Sequence, residues 1–316
     1  MKIGLIDVDG HNFPNLPLMK LSAYHKEKGD SVEWYEPMFS GHMDRVYMSK
    51  VFSFTDDYEY CVDADEIIRG GTGYAISLVD GKEVFDSAKD QNLPDEVEHI
   101  YPDYSLYPHL TENTAYGFLT RGCPRGCNFC HVAPKEGRCS KKVADLNEFW
   151  RGQKNIMLCD PNILACKDRV ELLNQLADSK AWVEFNQGLD VRLIDEEVLD
   201  ILKRIKIKTI HFAYDDYKQK DLIERKLRFV RENSTWSHRK IMVYILTNFD
   251  TTFEQDIERV EFMREVDFHP YVMIYDKEHC ELKYRHLQRY CNPLIFWQLN
   301  NFSEYDNKKG RGKSRA

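Results

Sequence analysis

Three absences bound this chain before any motif is read. No apolar run is long enough to span a bilayer and no cleavable signal sequence is evident, so no membrane role is expected. Positive charge is not in excess. The 44 Lys and Arg face 52 Asp and Glu, for a net charge of -8 and a pI near 5.8, which argues against nucleic-acid binding by the folded body. The nine cysteines lack the paired spacing of a disulfide framework, which points to a reducing, cytoplasmic setting. What is present is bulk: 316 residues, 42% hydrophobic, are enough to build two domains.

One stretch is dense in chemistry. Leu119 to His131 reads Leu-Thr-Arg-Gly-Cys-Pro-Arg-Gly-Cys-Asn-Phe-Cys-His and sets Cys123, Cys127 and Cys130 in a C-x3-C-x2-C array. Cysteine binds iron as the thiolate, and a cubane 4Fe-4S cluster presents four irons, so three cysteines leave one iron open. A zinc knuckle wants two pairs of ligands, and a ferredoxin run wants a fourth cysteine soon after the third. Here the next cysteine, Cys139, fits neither spacing. Pro124 and Gly126 suit a tight loop whose amides turn toward sulfur. The spacing therefore points to an open-site cluster. The others, Cys61, Cys139, Cys159, Cys166, Cys280 and Cys291, form no C-x2-C pair and read as core or surface thiols rather than a second cluster.

The loop Cys123-Pro-Arg-Gly-Cys127-Asn-Phe129-Cys130, with an aromatic residue just before its last cysteine, resembles the cluster loop of the radical S-adenosylmethionine (SAM) enzymes. The resemblance implies a 4Fe-4S cluster on Cys123, Cys127 and Cys130, with SAM chelated at the open iron through its amino and carboxylate groups. It also implies one-electron cleavage of SAM to methionine and a 5′-deoxyadenosyl radical, which takes hydrogen from an organic substrate. A reducing protein such as a flavodoxin or ferredoxin is the implied partner. The family's common Gly-Gly-Glu element is absent, and Asp160-Pro161-Asn162 stands in its place.

Before the loop, Lys2 to Val8 reads as a strand and Leu16 to Lys28 as a helix closed by Gly29. Ser31 to Tyr35, Arg45 to Phe52 and Glu66 to Arg69 read as further strands, giving a small parallel, Rossmann-like domain over residues 1–80. The resemblance extends here to cobalamin-binding members. Asp9-Gly10-His11-Asn12-Phe13-Pro14 stands where their domains carry Asp-x-His-x-x-Gly, but proline replaces the glycine and five strands do not fit. A degenerate domain is the expectation; cobalamin, with His11 as its ligand, is the lesser reading. Gly70 to Gly73 lacks the pattern of a phosphate loop. Residues 81–113 read as a linker whose Tyr101, Tyr104 and Tyr107 pack against the next domain.

Over residues 114–303 strand and helix patterns alternate. Strands are expected at Ala115 to Thr120, Asn155 to Cys159, Trp182 to Asn186, Lys208 to Ala213, Lys240 to Leu246 and Pro270 to Ile274. Six βα units make a partial (βα)6 TIM-like barrel, so the chain is read as α/β, with chemistry at the carboxyl ends of the strands. Asp160, Asn162, Gln187, Asp190, Arg192, Tyr214, Asp215, Thr247, Asn248 and Tyr275 fall at those ends. For SAM, Asp190 and Asn186 suit the ribose diol and Arg192 suits the carboxylate, while Phe129 and Asn248 suit the flanks of adenine. Alternation turns Glu184, Asn186 and His211 inward, and Val183, Phe185, Ile210 and Phe212 toward the helices. A terminal helix and short strand are expected over Leu282 to Phe302. Residues 304–316 read as a basic, disordered tail, the one place for a nucleic-acid contact. Two alternatives stand beside the radical SAM reading: a cobalamin-dependent methyltransferase, and a non-enzymatic electron-transfer or sensing module.

Overall fold

The computed structural model describes residues 1–79 and 82–307; of the expected tail at 304–316, residues 308–316 lie outside them, whereas Glu304 ends a 3-10 turn and Tyr305 packs on Tyr290 and Phe302 rather than being disordered. The chain is mixed α/β, and its two larger sheets are wholly parallel.

The first sheet holds β1 (Lys2–Asp7), β2 (Ser31–Trp34), β3 (Met43–Ser49) and β4 (Ala64–Gly70), in the order β2-β1-β3-β4. That is the start of a doubly wound sheet without its fifth strand. Helix α1 (Leu16–Glu27) joins β1 to β2. Asn15 caps it by accepting the Leu18 N–H at 3.3 Å, and Gly29, at φ +82°, turns the chain back after it. Because strand side chains alternate, Ile3 and Leu5 pack on Leu18 and Leu21 of α1, while Ile6 joins Val46 and Met48 on the other face.

The expected linker carries more structure than anticipated. After a short helix α2 (Thr72–Ala75), β5 (Ile76–Val79) and β6 (Lys82–Phe85) pair as an antiparallel hairpin across the expected boundary at residue 80. The signal was present: Asp-Gly between two short alternating runs is a strong hairpin dipeptide. Two further short helices, α3 (Asp95–Glu98) and α4 (Pro108–Thr111), follow. Tyr101 and Tyr104 reach the following domain as expected, but Tyr107 turns back to the first sheet, where its ring meets His11 and Trp34. The Tyr104 hydroxyl donates to the Phe149 carbonyl (2.6 Å), Tyr107 donates to Asp7 (2.7 Å), and Tyr101 accepts from Gln153 Nε2 (2.6 Å).

The second sheet begins with β7 (Thr114–Gly117). The expected strand to Thr120 ends early because the Leu119 and Thr120 amides turn to the Asp160 carboxylate instead of continuing the ladder. A small antiparallel pair, β8 (Thr120–Arg121) and β9 (Lys141–Lys142), then brackets the cysteine loop and helix α5 (Val132–Glu136). The remaining strands are β10 (Asn155–Leu158), β11 (Trp182–Leu189), β12 (Lys206–Ala213), β13 (Ile241–Thr247) and β14 (His269–Ile274). Their order, β14-β13-β12-β11-β10-β7, sets each beside the next in the chain, as in an open six-unit barrel. Helices α6 (Arg169–Ser179), α7 (Glu196–Arg204), α8 (Lys220–Glu232) and α9 (Phe253–Glu265) alternate with them.

Val183, Phe185, Ile210 and Phe212 are buried in the shared core with Leu176, Leu202 and Leu227 of the helices. On the other face Glu184 pairs with Lys208 (3.0 Å), and His211 lies 2.6 Å from the Phe185 carbonyl with its ring stacked on Tyr244. After α10 (Leu282–Cys291) the expected closing strand is a 3-10 turn at Ile295–Gln298. The Asn292 side chain bonds both the N–H and the carbonyl of Val272, occupying the edge of β14 that such a strand would need.

Candidate functional site

The cysteine loop is pinned from beneath. Asp160, just past β10, is buried and accepts from Leu119 N (3.1 Å), Thr120 N (2.6 Å) and Thr120 Oγ1 (2.7 Å). Burial pushes its carboxyl up to about 6, against the pull of those hydrogen bonds. Gly122 follows at φ +85°, and a Cβ there would lie 2.3 Å from the Cys139 carbonyl oxygen, so only glycine lets the loop cross residue 139. Helix α5 folds back to hold it: Glu136 accepts from Gly122 N and Arg121 Nη1, both at 2.9 Å. The Cys130 N–H donates to the Cys127 carbonyl at 3.0 Å, tightening the turn between the last two cysteines.

Cys123 and Cys130 are half-buried and Cys127 is exposed. Burial pushes the Cys127 and Cys130 thiols up; Cys130, Asp215 and Cys123 push Cys127 further while Arg192 opposes, and at Cys130 the Val132 backbone opposes while Cys123, Asp215 and Glu136 push further up. Cys127 thus lies within electrostatic reach of the other two cysteines, of Asp215 after β12 and of Arg192 after β11. Among the described residues no three His, Cys, Asp or Glu side chains are gathered tightly enough to chelate one ion.

Beside the thiols lies an unmet acceptor. Asn162 is 3% exposed, its Nδ2 is 3.5 Å from Cys123 Sγ, and its Oδ1 is buried without a partner. An orphaned amide oxygen of this kind costs about 1–3 kcal/mol unless a ligand brings a donor. A C-x3-C-x2-C array with no fourth cysteine at a ligand spacing, its first member next to an acceptor awaiting a donor, fits an open-site cluster with an amine-bearing ligand.

The other expected site residues are placed as follows. The buried Asp190 carboxylate accepts from Arg192 (Nε 2.6 Å, Nη2 3.2 Å) and from Arg125 of the cysteine loop, so it clasps the loop to the end of β11. Asn186 lies on β11, and its carbonyl takes the Tyr244 hydroxyl at 3.1 Å. Asn248, at φ +61°, donates its N–H to Asp256 and its side-chain amide to the Asp276 carbonyl. Phe129 meets Phe249 edge-on with centroids 5.5 Å apart, and Phe249 meets Tyr275 at 4.7 Å, an aromatic ridge from loop to strand ends. Two residues expected at the mouth are elsewhere. Tyr214 is fully buried with its hydroxyl on Glu224 of α8 (2.9 Å), and Thr247 is buried with its hydroxyl on the Met273 carbonyl. Sequence reasoning gave no role to Arg125 or Phe249. Arg125 could have been found as the cation inside the cysteine motif, and Phe249 as the aromatic just past a strand end.

No family model matches the chain. An uncharacterized protein of Methanocaldococcus jannaschii is 27% identical over 192 residues, covering 52% of this chain and 42% of that protein, so the match spans less than half the relative's length. Among solved structures, Streptococcus suis SuiB bound to precursor peptide SuiA is similar with a TM-score of 0.39 and 14% identity, covering 62% of this chain and 48% of that one.

Proposed function

We propose that this chain is a radical SAM enzyme whose cluster is held by Cys123, Cys127 and Cys130. The observation that carries the reading is the C-x3-C-x2-C array, set where the first strand of a six-unit βα sheet ends, with no fourth cysteine at a ligand spacing after it in the sequence. Bound there, the cluster and SAM would supply a one-electron cleavage that yields methionine and a 5′-deoxyadenosyl radical, with an electron from a flavodoxin or ferredoxin, for hydrogen abstraction from an organic substrate.

The protein's own part is to hold, orient and exclude water. Asp160 fixes the height of the loop, and Asp190 takes the Nε and Nη2 of Arg192, setting its direction and leaving Nη1 as the donor for a carboxylate. The orphaned Oδ1 of Asn162 suits an ammonium, Asn186 a sugar hydroxyl, and Phe129 with Asn248 the two sides of a purine. A corrinoid role for the first sheet is disfavoured, because the chain itself fills the carboxyl ends of its strands. Tyr107 bonds Asp7, Asn15 bonds Ser49 at 2.8 Å, and His11 packs on Trp34 at 4.3 Å.

Anaerobic reconstitution with iron and sulfide, then dithionite and SAM, should release 5′-deoxyadenosine, and Cys127→Ala should abolish both cluster retention and that product. A cluster that forms without binding or cleaving SAM would replace this reading with the electron-transfer one.

A further inference from the structure

We propose that Asn162 is a positioning residue for the iron-sulfur site, donating its amide N–H to Cys123 and thereby raising the reduction potential of the cluster. This rests on the function proposed above. Asn162 lies outside the cysteine motif, 39 positions from Cys123, yet Nδ2 and Sγ are 3.5 Å apart, within hydrogen-bond reach for sulfur. A thiolate only accepts, so the amide must present its nitrogen to Cys123, and this turns Oδ1 into the buried space where it has no partner.

The residue is itself held in place. Ser140, 4% exposed, donates its hydroxyl to the Asn162 carbonyl at 2.9 Å, and Ser140 follows Cys139, over which Gly122 crosses. The first cysteine, the loop glycine and the strand-end asparagine thus form one rigid unit, and a donor fixed in this way acts on the sulfur rather than on passing water. A hydrogen bond to a ligating thiolate stabilises the reduced cluster, which carries one more negative charge, more than the oxidised one, so it raises the potential.

Removing the donor should shift the midpoint to more negative values by about tenfold in the reduced-to-oxidised ratio, or about 59 mV for one electron. The test is an EPR-monitored redox titration of the reconstituted full chain, with iron and sulfide counted, for wild type, Asn162→Ala, Asn162→Asp and Ser140→Ala. Asn162→Ala should keep its cluster at the more negative midpoint. The isosteric Asn162→Asp, which loses the donor and brings a carboxylate, should lie lower still, and Ser140→Ala should shift the same way by less. If the wild type holds a cluster and the variants share its midpoint, the role of Asn162 is overturned while the function stands. A wild type that takes up no iron overturns both. Should Asn162→Ala lose its fold by circular dichroism, unshifted midpoints in Asn162→Asp and Ser140→Ala decide against the proposal.

Discussion

At Asp160 burial and hydrogen bonding pull in opposite directions, and burial wins. Its carboxyl titrates at about 6 in the folded chain against an ordinary value of 3.8. The folded state therefore binds that proton more tightly than the unfolded one, and its contribution to stability falls as pH rises from about 4 to about 6. Asp160→Asn carries no such proton, so urea unfolding across that window should show a shallower decline than in the wild type. An unchanged slope would mean that the carboxylate stays ionised throughout. The sequence marks Asp160 as a polar residue at a strand end. It does not show the carboxylate turned back beneath the loop, because the donors that hold it come from Leu119 and Thr120, about forty positions earlier. Asn162 was legible in the same partial way: its place after β10 could be read, but not its approach to Cys123.

Elements were far more legible than contacts. The alternation of Val183 with Phe185 and of Ile210 with Phe212 reads directly as strands packed on helices, and these side chains are core. What escaped was decided by partners distant in sequence: β7 stops where Asp160 takes its next amides, and Asn292 caps β14 in place of a further strand. The cysteine loop offers a sharp comparison at this scale. Gly122 and Gly126 both have positive φ, so alanine at either costs about 1–3 kcal/mol of backbone strain. A Cβ on Gly126 meets Arg138 Nη1 at 2.8 Å, the far end of a flexible side chain, which can swing away. A Cβ on Gly122 meets the Cys139 carbonyl oxygen at 2.3 Å, and that backbone is tied into the loop's own support. Thermal unfolding should show Gly122→Ala clearly less stable than Gly126→Ala, with the larger loss of iron on reconstitution. Equal melting temperatures would mean that the 139–140 backbone yields.

At the scale of the whole molecule, the first sheet and the loop are fastened together rather than merely tethered. Lys135 of α5 reaches Thr72 of α2, just past β4 (2.5 Å), His131 reaches Glu83 of the β6 hairpin (2.9 Å), and Tyr107, in the segment that leads into α4 and β7, bonds Asp7 at the end of β1. Composition and strand patterns revealed two sheets but not this fastening, since each of its contacts joins side chains from separate stretches. The Tyr107 bond is the most informative to cut. Burial pushes the Asp7 carboxyl up to about 6, and the Tyr107 hydroxyl, by donating to the ionised form, is the largest influence holding it down. In Tyr107→Phe burial is less opposed, so the folded carboxyl should titrate higher still and its ionisation should cost more stability. Below about pH 5 the group is protonated in either protein and the lost bond matters little. At pH 7.5 it is ionised, and the loss should reach about 1–3 kcal/mol. Denaturant unfolding at the two pH values measures the difference. The larger destabilisation should appear at pH 7.5, together with an earlier transition of the first sheet if its hold on the second has been weakened. A destabilisation equal at both pH values would show that Tyr107 acts through packing against Trp34 and His11, and not through the Asp7 carboxylate.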